Sequence, residues 1–262
     1  MGTYSKIVIC PLSHDLAEKA STLGEKLKLP VLNLFAEKRD LSVFEFCLLV
    51  DDQRLFLQKI GSQSRVSADF SCKSFSYRVR SNQSELLRRA VSLSKKSLPT
   101  VIDATAGLGR DSFVIANLGC YVVSCERNLI IAEMLDQAIK FAIHSEESWL
   151  AGPASRISLQ RMDVRKICKE ILYKVNVIYL DPMFSERRGS AVARKEIEML
   201  KALLADEICD TDSVELLDWA LDQRVERVIV KRPKRSKPLG GRLPSYQLLG
   251  RTIRYDVHQR SR

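Results

Sequence analysis

The sequence has little of what metal sites, disulfide frameworks and membrane spans require. Its 262 residues include only three histidines, and the seven cysteines are scattered without a CxxC pair. That pattern argues against a zinc site and a disulfide framework, and it favours reduced thiols. No apolar run approaches the ~18 residues of a transmembrane helix, and the first residues lack a small-residue cleavage site. We therefore expect a cytoplasmic protein without membrane association and without a metal.

The first part of the chain, residues 1–82, predicts a small α+β domain with one amphipathic helix and a β-hairpin with a polar turn. Its expected helix is Asp15–Leu27, and its expected strands are Lys6–Cys10, Val31–Leu34, Phe44–Val50, Leu55–Ile60 and the alternating aromatic segment Ala68–Val79. This region carries no catalytic signature.

The second part, residues 83–262, alternates strand and helix patterns after an amphipathic helix at Gln83–Lys95. The expected strands are Val101–Asp103, Tyr121–Glu126, Ile157–Met162, Val175–Asp181 and Arg227–Lys231, with antiparallel edge strands at Tyr246–Leu249 and Thr252–Val257. The expected helices are Arg110–Leu118, Leu129–His144, Val164–Leu172, Arg194–Leu204 and Ser213–Leu221. Such alternation predicts an α/β fold with a mostly parallel sheet, helices on both faces and ligand sites at the carboxyl ends of the strands.

A glycine turn follows the first strand of this sheet. Asp103 ends the strand, and Gly107 and Gly109 precede the next helix, where backbone N–H groups can approach a ligand closely. Glycine at such a turn can also serve only a positive φ. The next strand ends at Glu126, and a carboxylate there can accept both hydroxyls of a ribose. The pair therefore favours an adenosine-containing cofactor.

Two further acids follow strand ends. Asp163, after Met162, can accept from an adenine amino group or can cap the helix that follows. Asp181 precedes Pro182, which fixes a rigid turn, and Phe184 can stack on a planar base. The alternative for this second segment is an ordinary turn with a phenylalanine in the core.

These elements resemble class I S-adenosylmethionine (SAM)-dependent methyltransferases, and the acid–proline–aromatic turn resembles the motif of amine methylators. The match is closest to the bacterial ribosomal RNA small subunit methyltransferase J family and covers roughly residues 83–257. It rests on the strings DATAGLGRD (103–111), ERN (126–128), LDPMF (180–184), SAV with KE (190–192, 195–196) and VKRP (230–233). The resemblance implies a Rossmann-like class I sheet beside the small N-terminal α+β domain, and methylation of the N2 amine of a guanine in 16S ribosomal RNA.

The resemblance also implies roles for single residues. The expected cofactor-binding residues are Asp103, Gly107, Gly109, Arg110, Asp111, Glu126, Arg127, Met162, Asp163 and Asp181. The expected catalytic residues are Asp181, Pro182 and Phe184, with Asp181 accepting from the target amine, the Pro182 carbonyl assisting and Phe184 stacking on a flipped base.

Basic residues cluster near these motifs and contribute to a net charge of +10. A basic face beside a reaction site favours a polyanionic partner, because neutralised phosphates release counterions. The alternative is a solvated surface that keeps the protein soluble. The expected phosphate contacts to 16S ribosomal RNA or the small subunit are Arg187, Arg188, Arg194, Lys195, Lys231, Arg232 and Lys234.

Three other functions remain open at this point. A DNA amino-methyltransferase would share the chemistry of Asp181 but usually needs a larger target-recognition domain than residues 1–82 offer. A dinucleotide oxidoreductase does not account for the turn at Asp181, and Ser112 stands where its third glycine is expected. A ribosome-assembly factor could bind RNA on this fold without turnover. Cofactor binding followed by methyl transfer to small-subunit RNA separates all of them.

Overall fold

A computed structural model describes residues 6–32, 41–72, 75, 82–92, 98–182, 191–205 and 211–260, and the side chains of 82–84 and 191–194 are not part of that description. The strands are β1 Ile7–Pro11, β2 Phe46–Val50, β3 Leu55–Lys59, β4 Arg65–Val66, β5 Thr100–Asp103, β6 Tyr121–Cys125, β7 Ile157–Gln160, β8 Val177–Leu180, β9 Arg227–Pro233, β10 Tyr246–Leu249 and β11 Ile253–Gln259. The α-helices are α1 Ala17–Leu27, α2 Asn82–Val91, α3 Arg110–Asn117, α4 Leu129–Ile143, α5 Ser148–Ala154, α6 Lys169–Leu172, α7 Ala191–Leu203 and α8 Asp212–Asp222. Within these described ranges, no helix is long and apolar enough to cross a membrane.

One compact unit holds the described residues up to Asp69 together with α7. Its sheet has the order β1-β2-β3-β4, with β1 and β2 parallel and with the predicted β2–β3 hairpin in antiparallel register. Helix α1 packs on β1 and buries Ala20, Leu23 and Leu27, which the helical period places on one face. The second unit holds the remaining described residues from Phe70 onward. The predicted domain boundary after residue 82 stays a proposal.

The segment Ala68–Val79 does not form the predicted strand where it is described. Residues 68–72 are irregular and Phe75 is helical. The rings of Phe70 and Phe75 instead pack on Phe113 of α3, at centroid distances of 4.6 Å and 5.3 Å. The alternating aromatics therefore reflect burial of rings in a side-chain cluster, which satisfies the same pattern without strand pairing.

The second unit contains a sheet of order β7-β6-β5-β8-β9-β11-β10. Strands β5 to β9 pair in parallel, and β11 is antiparallel to both β9 and β10. The chain adds β6 and β7 on one side of β5 and then returns to place β8 on the other side. Strand order therefore reverses between β5 and β8, and a ligand crevice is expected at their carboxyl ends. The expectation that Thr252–Val257 forms an edge is wrong, because β11 lies between two strands.

Helices cover this sheet on opposite faces. Ile102 and Ile178 pack with Leu217 of α8 in one apolar cluster. Asp103, whose side chain must point to the other face, contacts Ser112 of α3. Two helix predictions need correction: Val164–Leu172 is a 3-10 turn and the short helix α6, separated by extended backbone at Ile167, and α5 was not predicted. The fold is the predicted doubly wound α/β sheet.

Candidate active site

The ends of β5 and β8 bring the glycine turn and Asp181 together. Because these strands are neighbours, the backbone N–H of Ala104 donates to the Tyr179 carbonyl at 3.0 Å. Just beyond this contact, the backbone N–H of Asp181 donates to the hydroxyl of Thr105 at 2.7 Å. The loop that leaves β5 is thus fixed directly beside the acid that ends β8.

The two predicted glycines serve different purposes in this loop. Both have positive φ, +54° at Gly107 and +76° at Gly109. A Cβ at Gly109 would collide with the side chain of Leu135, so this position permits close packing of the turn on α4. A Cβ at Gly107 would meet nothing closer than the Thr105 carbonyl oxygen at 4.0 Å. Gly107 therefore leaves its side of the turn open to a ligand.

Glu126 is tied to the open side of the turn. Its Oε2 accepts from the backbone N–H of Gly107 at 2.9 Å, and its Oε1 accepts from that of Asn128 at 2.8 Å. Asn128 in turn caps α4, with its Oδ1 accepting from the N–H groups of Ile130 and Ile131. Both carboxylate oxygens are thereby oriented at the end of β6, which is where the sequence placed a ribose acceptor.

Asp103 does not line the crevice as expected. Its side chain is 1% exposed and accepts from the Ser112 hydroxyl at 2.6 Å and from the Thr105 N–H at 3.2 Å. Burial raises the pKa of the Asp103 carboxyl to about 7. A group without accessible surface cannot contact a ligand, so Asp103 instead stabilises the turn from its buried side. Ser112 occupies the position where a dinucleotide-binding motif has its third glycine, and here it donates a hydrogen bond to the buried Asp103 carboxyl.

A half-buried lysine joins two of the predicted acids. The Nζ of Lys231 lies 2.6 Å from Asp111 Oδ2 and 2.7 Å from Asp181 Oδ2, and Tyr179 donates its hydroxyl to the same oxygen of Asp111 at 2.7 Å. Desolvation raises the pKa of Asp181 to about 6; Lys231 opposes this shift and Asp111 adds to it. With 33% of its side chain exposed, Asp181 remains within reach of a substrate.

Lys231 and Arg232, which were expected to contact phosphates, both make their contacts within the protein. The Lys231 side chain is 13% exposed and is engaged by carboxylates. Arg232 is 8% exposed and donates to the Lys237 carbonyl at 2.8 Å. Local charge counting missed this because it cannot tell a buried ion pair from a solvated one. The sequence did contain a signal for this contact: Lys231 ends the predicted strand that follows β8, and it could therefore be expected near Asp181.

Arg127 and Asp163 meet at the neighbouring strand ends. Asp163 Oδ1 accepts from the backbone N–H of Arg165 at 2.9 Å, so the capping role is present. The guanidinium of Arg165 also binds this carboxylate, and this contact chiefly lowers its pKa. Arg127 lies 2.9 Å from Asp212 Oδ2 of α8 and 3.8 Å from Asp163 Oδ2. The resulting ion-pair network fixes the end of β7 to α8.

The remaining predicted residues divide by exposure. Pro182 is buried, Arg110 and Met162 are half-buried, and Lys195 and Lys234 are exposed. Among the residues that the structure describes, no cluster of three or more histidine, cysteine or acidic side chains could hold a metal ion. The predicted residues that lie outside the description are Phe184, Arg187, Arg188 and the side chain of Arg194.

Comparisons with known proteins identify the family. Residues 34–260 match the family described as "Putative SAM-dependent methyltransferase". The chain is 36% identical to ribosomal RNA small subunit methyltransferase J of Thioalkalivibrio sulfidiphilus, covering 97% of this chain and 98% of the relative. Its identity to the protein of that name from Stutzerimonas stutzeri is 33%, covering 100% and 98%. A solved SAM-dependent methyltransferase of Neisseria gonorrhoeae superposes with a TM-score of 0.72 at 28% identity, covering 97% and 95%.

Proposed function

The chain belongs to the ribosomal RNA small subunit methyltransferase J family, and from this premise we propose that it methylates the N2 amine of a guanine in 16S ribosomal RNA. It is a SAM-dependent methyltransferase with a Rossmann-like class I sheet. Family membership removes the dinucleotide oxidoreductase and the assembly factor without turnover. The choice of RNA over DNA, the guanine target and a cytoplasmic location are parts of the proposal.

One observation carries the proposal: Asp181 is fixed beside the glycine turn by the hydrogen bond from its N–H to the Thr105 hydroxyl. The turn is the cofactor end of the crevice, and Asp181 is the acid of the amine-methylating motif. Had Asp181 lain on another face of the sheet, one crevice could not hold both the methyl donor and an amine. The buried Pro182 that follows restricts the backbone where the target must bind.

The residues present fit SAM. The open side of Gly107 gives room for a ligand against the backbone. The surrounding carboxylates of Glu126, Asp111 and Asp181 favour a cationic ligand such as a sulfonium. Glu126 would hold the ribose hydroxyls, Met162 would contact the adenine ring and Asp163 would accept from its amino group. Arg110 and Arg127 are proposed to complete the site.

The chain's contribution to the reaction is positioning and proton management. When bound, SAM supplies a methyl group on a sulfonium: the amine nitrogen bonds to that carbon, the carbon–sulfur electron pair stays on sulfur, and one amine proton is released. A guanine N2 is a weak nucleophile because its lone pair is delocalised into the ring. The Asp181 carboxylate accepts from this amine, localises the lone pair and takes the released proton. Alignment of this kind can contribute about 7–11 kcal/mol relative to a bimolecular encounter.

The RNA partner is proposed to bind through exposed basic residues. Lys195 and Lys234 are exposed, and Arg187, Arg188 and Arg194 remain candidates from the sequence. Phe184 is proposed to stack on the flipped base, whose extrusion costs a few kcal/mol and least where the base is already unpaired.

The test is mass-spectrometric mapping of methylated nucleosides in small-subunit RNA. Cells lacking the protein receive either the natural chain or Asp181→Asn, and purified chain is also incubated with undermethylated small-subunit RNA and with duplex DNA. We expect one N2-methylguanine that depends on the natural chain and is absent with Asp181→Asn. Methylation of DNA alone, or an RNA methyl group on another base atom, would reject the proposed target.

A further inference from the structure

Lys231 stands at a position where its charge acts on the reacting acid. Its Nζ lies within 2.7 Å of one carboxylate oxygen each of Asp111 and Asp181, and its side chain is 13% exposed. Strand β9, which carries Lys231, pairs with β8, which leads into Asp181. The pairing of these neighbouring strands therefore holds the Lys231 ammonium next to the Asp181 carboxylate.

The groups around this ion pair come from four other elements. Asp111 belongs to α3, and Tyr179 of β8 donates to it. Asp103 at the end of β5 lies close enough for Asp111 and Asp181 to raise its pKa. Tyr255 of β11 stands opposite Lys231 in the strand register. Burial raises the pKa of Tyr179 well above its ordinary value, so this hydroxyl stays neutral and cannot replace the positive charge. In this set, Lys231 is the cation, and the carboxylates of Asp111 and Asp181 are its direct partners.

We propose that Lys231 is a positioning residue that keeps the Asp181 carboxylate ionised and aimed at the target amine. This inference rests on the proposed function, because it assigns to Asp181 the task of accepting from the amine. It replaces the expectation that Lys231 contacts a phosphate.

Removal of the Lys231 ammonium should change the protonation of Asp181, because Asp111 lies beside it. Two carboxylates at one site cannot both ionise without a compensating charge, and one of them retains a proton. Lys231 already lowers the pKa of Asp181 against the effects of burial and of Asp111. Without Lys231, Asp181 would be protonated at neutral pH and would lose its ability to accept from the amine. Raising the pH would then restore activity by removing this proton.

The first arm of the experiment compares Lys231→Met and Lys231→Arg with the natural chain in single-turnover methyl transfer between pH 5.5 and 9.5. Lys174→Met is the matched control, because it removes the same charge from an exposed position on the loop before β8, at the opposite end of that strand. We expect Lys231→Met to lower the rate at pH 7 on the order of 10²-fold and to move the acid limb of the profile to higher pH. Lys231→Arg should keep the limb near its natural position, since the charge remains. SAM affinity and the melting temperature, measured on each variant, separate this effect from loss of the fold.

The second arm measures the Asp181 carboxyl directly. Protein with ¹³C-labelled aspartate carboxyl groups is titrated by NMR, and Asp181→Asn assigns the signal. We expect the midpoint of Asp181 to rise in Lys231→Met and to stay unchanged in Lys174→Met. An unmoved midpoint in folded Lys231→Met overturns the inference, whatever the methylation result. If the midpoint rises in Lys231→Met but the natural chain methylates no RNA, the role of Lys231 in setting the charge of Asp181 is supported and the proposed function is rejected. If Lys231→Met does not fold, the midpoint in Lys231→Gln decides.

Discussion

The hydroxyl of Thr105 accepts a hydrogen bond of 2.7 Å from the backbone N–H of Asp181. This contact joins the loop after β5, the proposed cofactor side of the crevice, to the end of β8, the proposed amine side. Its geometry should matter more to alignment than to folding, because only one of the many hydrogen bonds of the sheet is involved.

Replacing Thr105 by Val tests this link. Loss of the acceptor should leave the Asp181 N–H without its partner and lower kcat by about tenfold, the equivalent of roughly 1.4 kcal/mol of alignment. Thr105→Ser keeps the hydroxyl and should retain most of the activity. Steady-state kinetics with SAM binding by calorimetry provide the measurement. Equal kcat in Thr105→Val and the natural chain would mean that the contact does not align the site.

Asp181→Asn should abolish methyl transfer while the protein still binds SAM. An amide oxygen can accept a hydrogen bond, but it cannot take the proton that the amine releases. In the natural chain, the rate should fall as the pH decreases through about 6, because the carboxyl with this raised pKa becomes protonated. Single-turnover rates across this range are the measurement. A pH-independent rate down to pH 5 would contradict the role of Asp181.

Asp103 should make the protein less stable as the pH rises. Its folded pKa of about 7 exceeds the ordinary 3.8, so the folded state holds a proton that the unfolded chain releases between these values. The free energy of unfolding therefore loses this contribution progressively from about pH 4 to pH 7. Asp103→Asn removes the titration, and its stability relative to the natural chain should increase over that window. Chemical denaturation at several pH values measures the difference, and a constant difference would contradict the raised pKa.

The two glycines should respond differently to alanine. Gly109→Ala forces the buried Leu135 side chain to move and adds the strain of a positive φ, so it should destabilise the fold by several kcal/mol. Gly107→Ala adds only the strain of its positive φ, about 1–3 kcal/mol, but fills the open side of the turn. In Gly107→Ala, the free energy of SAM binding should weaken by more than the free energy of unfolding decreases. Thermal unfolding and calorimetric titration on both variants test this order, and the reverse order would place the ligand elsewhere.

The affinity for small-subunit RNA should depend steeply on salt. Lys195→Ala and Lys234→Ala, at exposed positions, should each reduce the slope of log K against log salt by about one if each lysine contacts a phosphate. The exposed control Lys174→Ala should leave the slope unchanged. Filter binding between low and physiological salt is the measurement, and unchanged slopes for both lysines would remove them from the interface.

The sequence predicted the architecture well where the pattern is local. The apolar runs at Val101–Asp103 and Val175–Asp181 correspond to the buried parallel strands β5 and β8, which pair with each other. Strand order is a property of the whole chain, so the position of β11 inside the sheet was missed. Phe75 was also misinterpreted, because the alternation of aromatic and polar residues around it predicted a strand, whereas its ring is buried in a side-chain cluster.

Side-chain environments were predicted least well. Asp103 was expected to contact the cofactor because it ends a strand before the glycine turn, and Lys231 was expected to contact a phosphate because it belongs to a basic cluster. Asp103 contacts Ser112, and Lys231 contacts Asp111. Each of these partners lies on another element of the structure, so the local sequence did not reveal the contact. The capping role of Asp163 was predictable because it depends only on the two residues that follow.

The position of β11 has a consequence for biosynthesis. Because β11 separates β9 from β10, a growing polypeptide cannot complete this sheet until residues 253–259 have left the ribosomal exit tunnel. Until then β9 offers an unpaired edge to other nascent chains, and edges of this kind promote aggregation. Lys231 stands on that same strand, so the edge that β11 covers belongs to the strand that carries the partner of Asp181. We therefore expect a premature stop before Ile253 to yield an insoluble product and no partially competent enzyme.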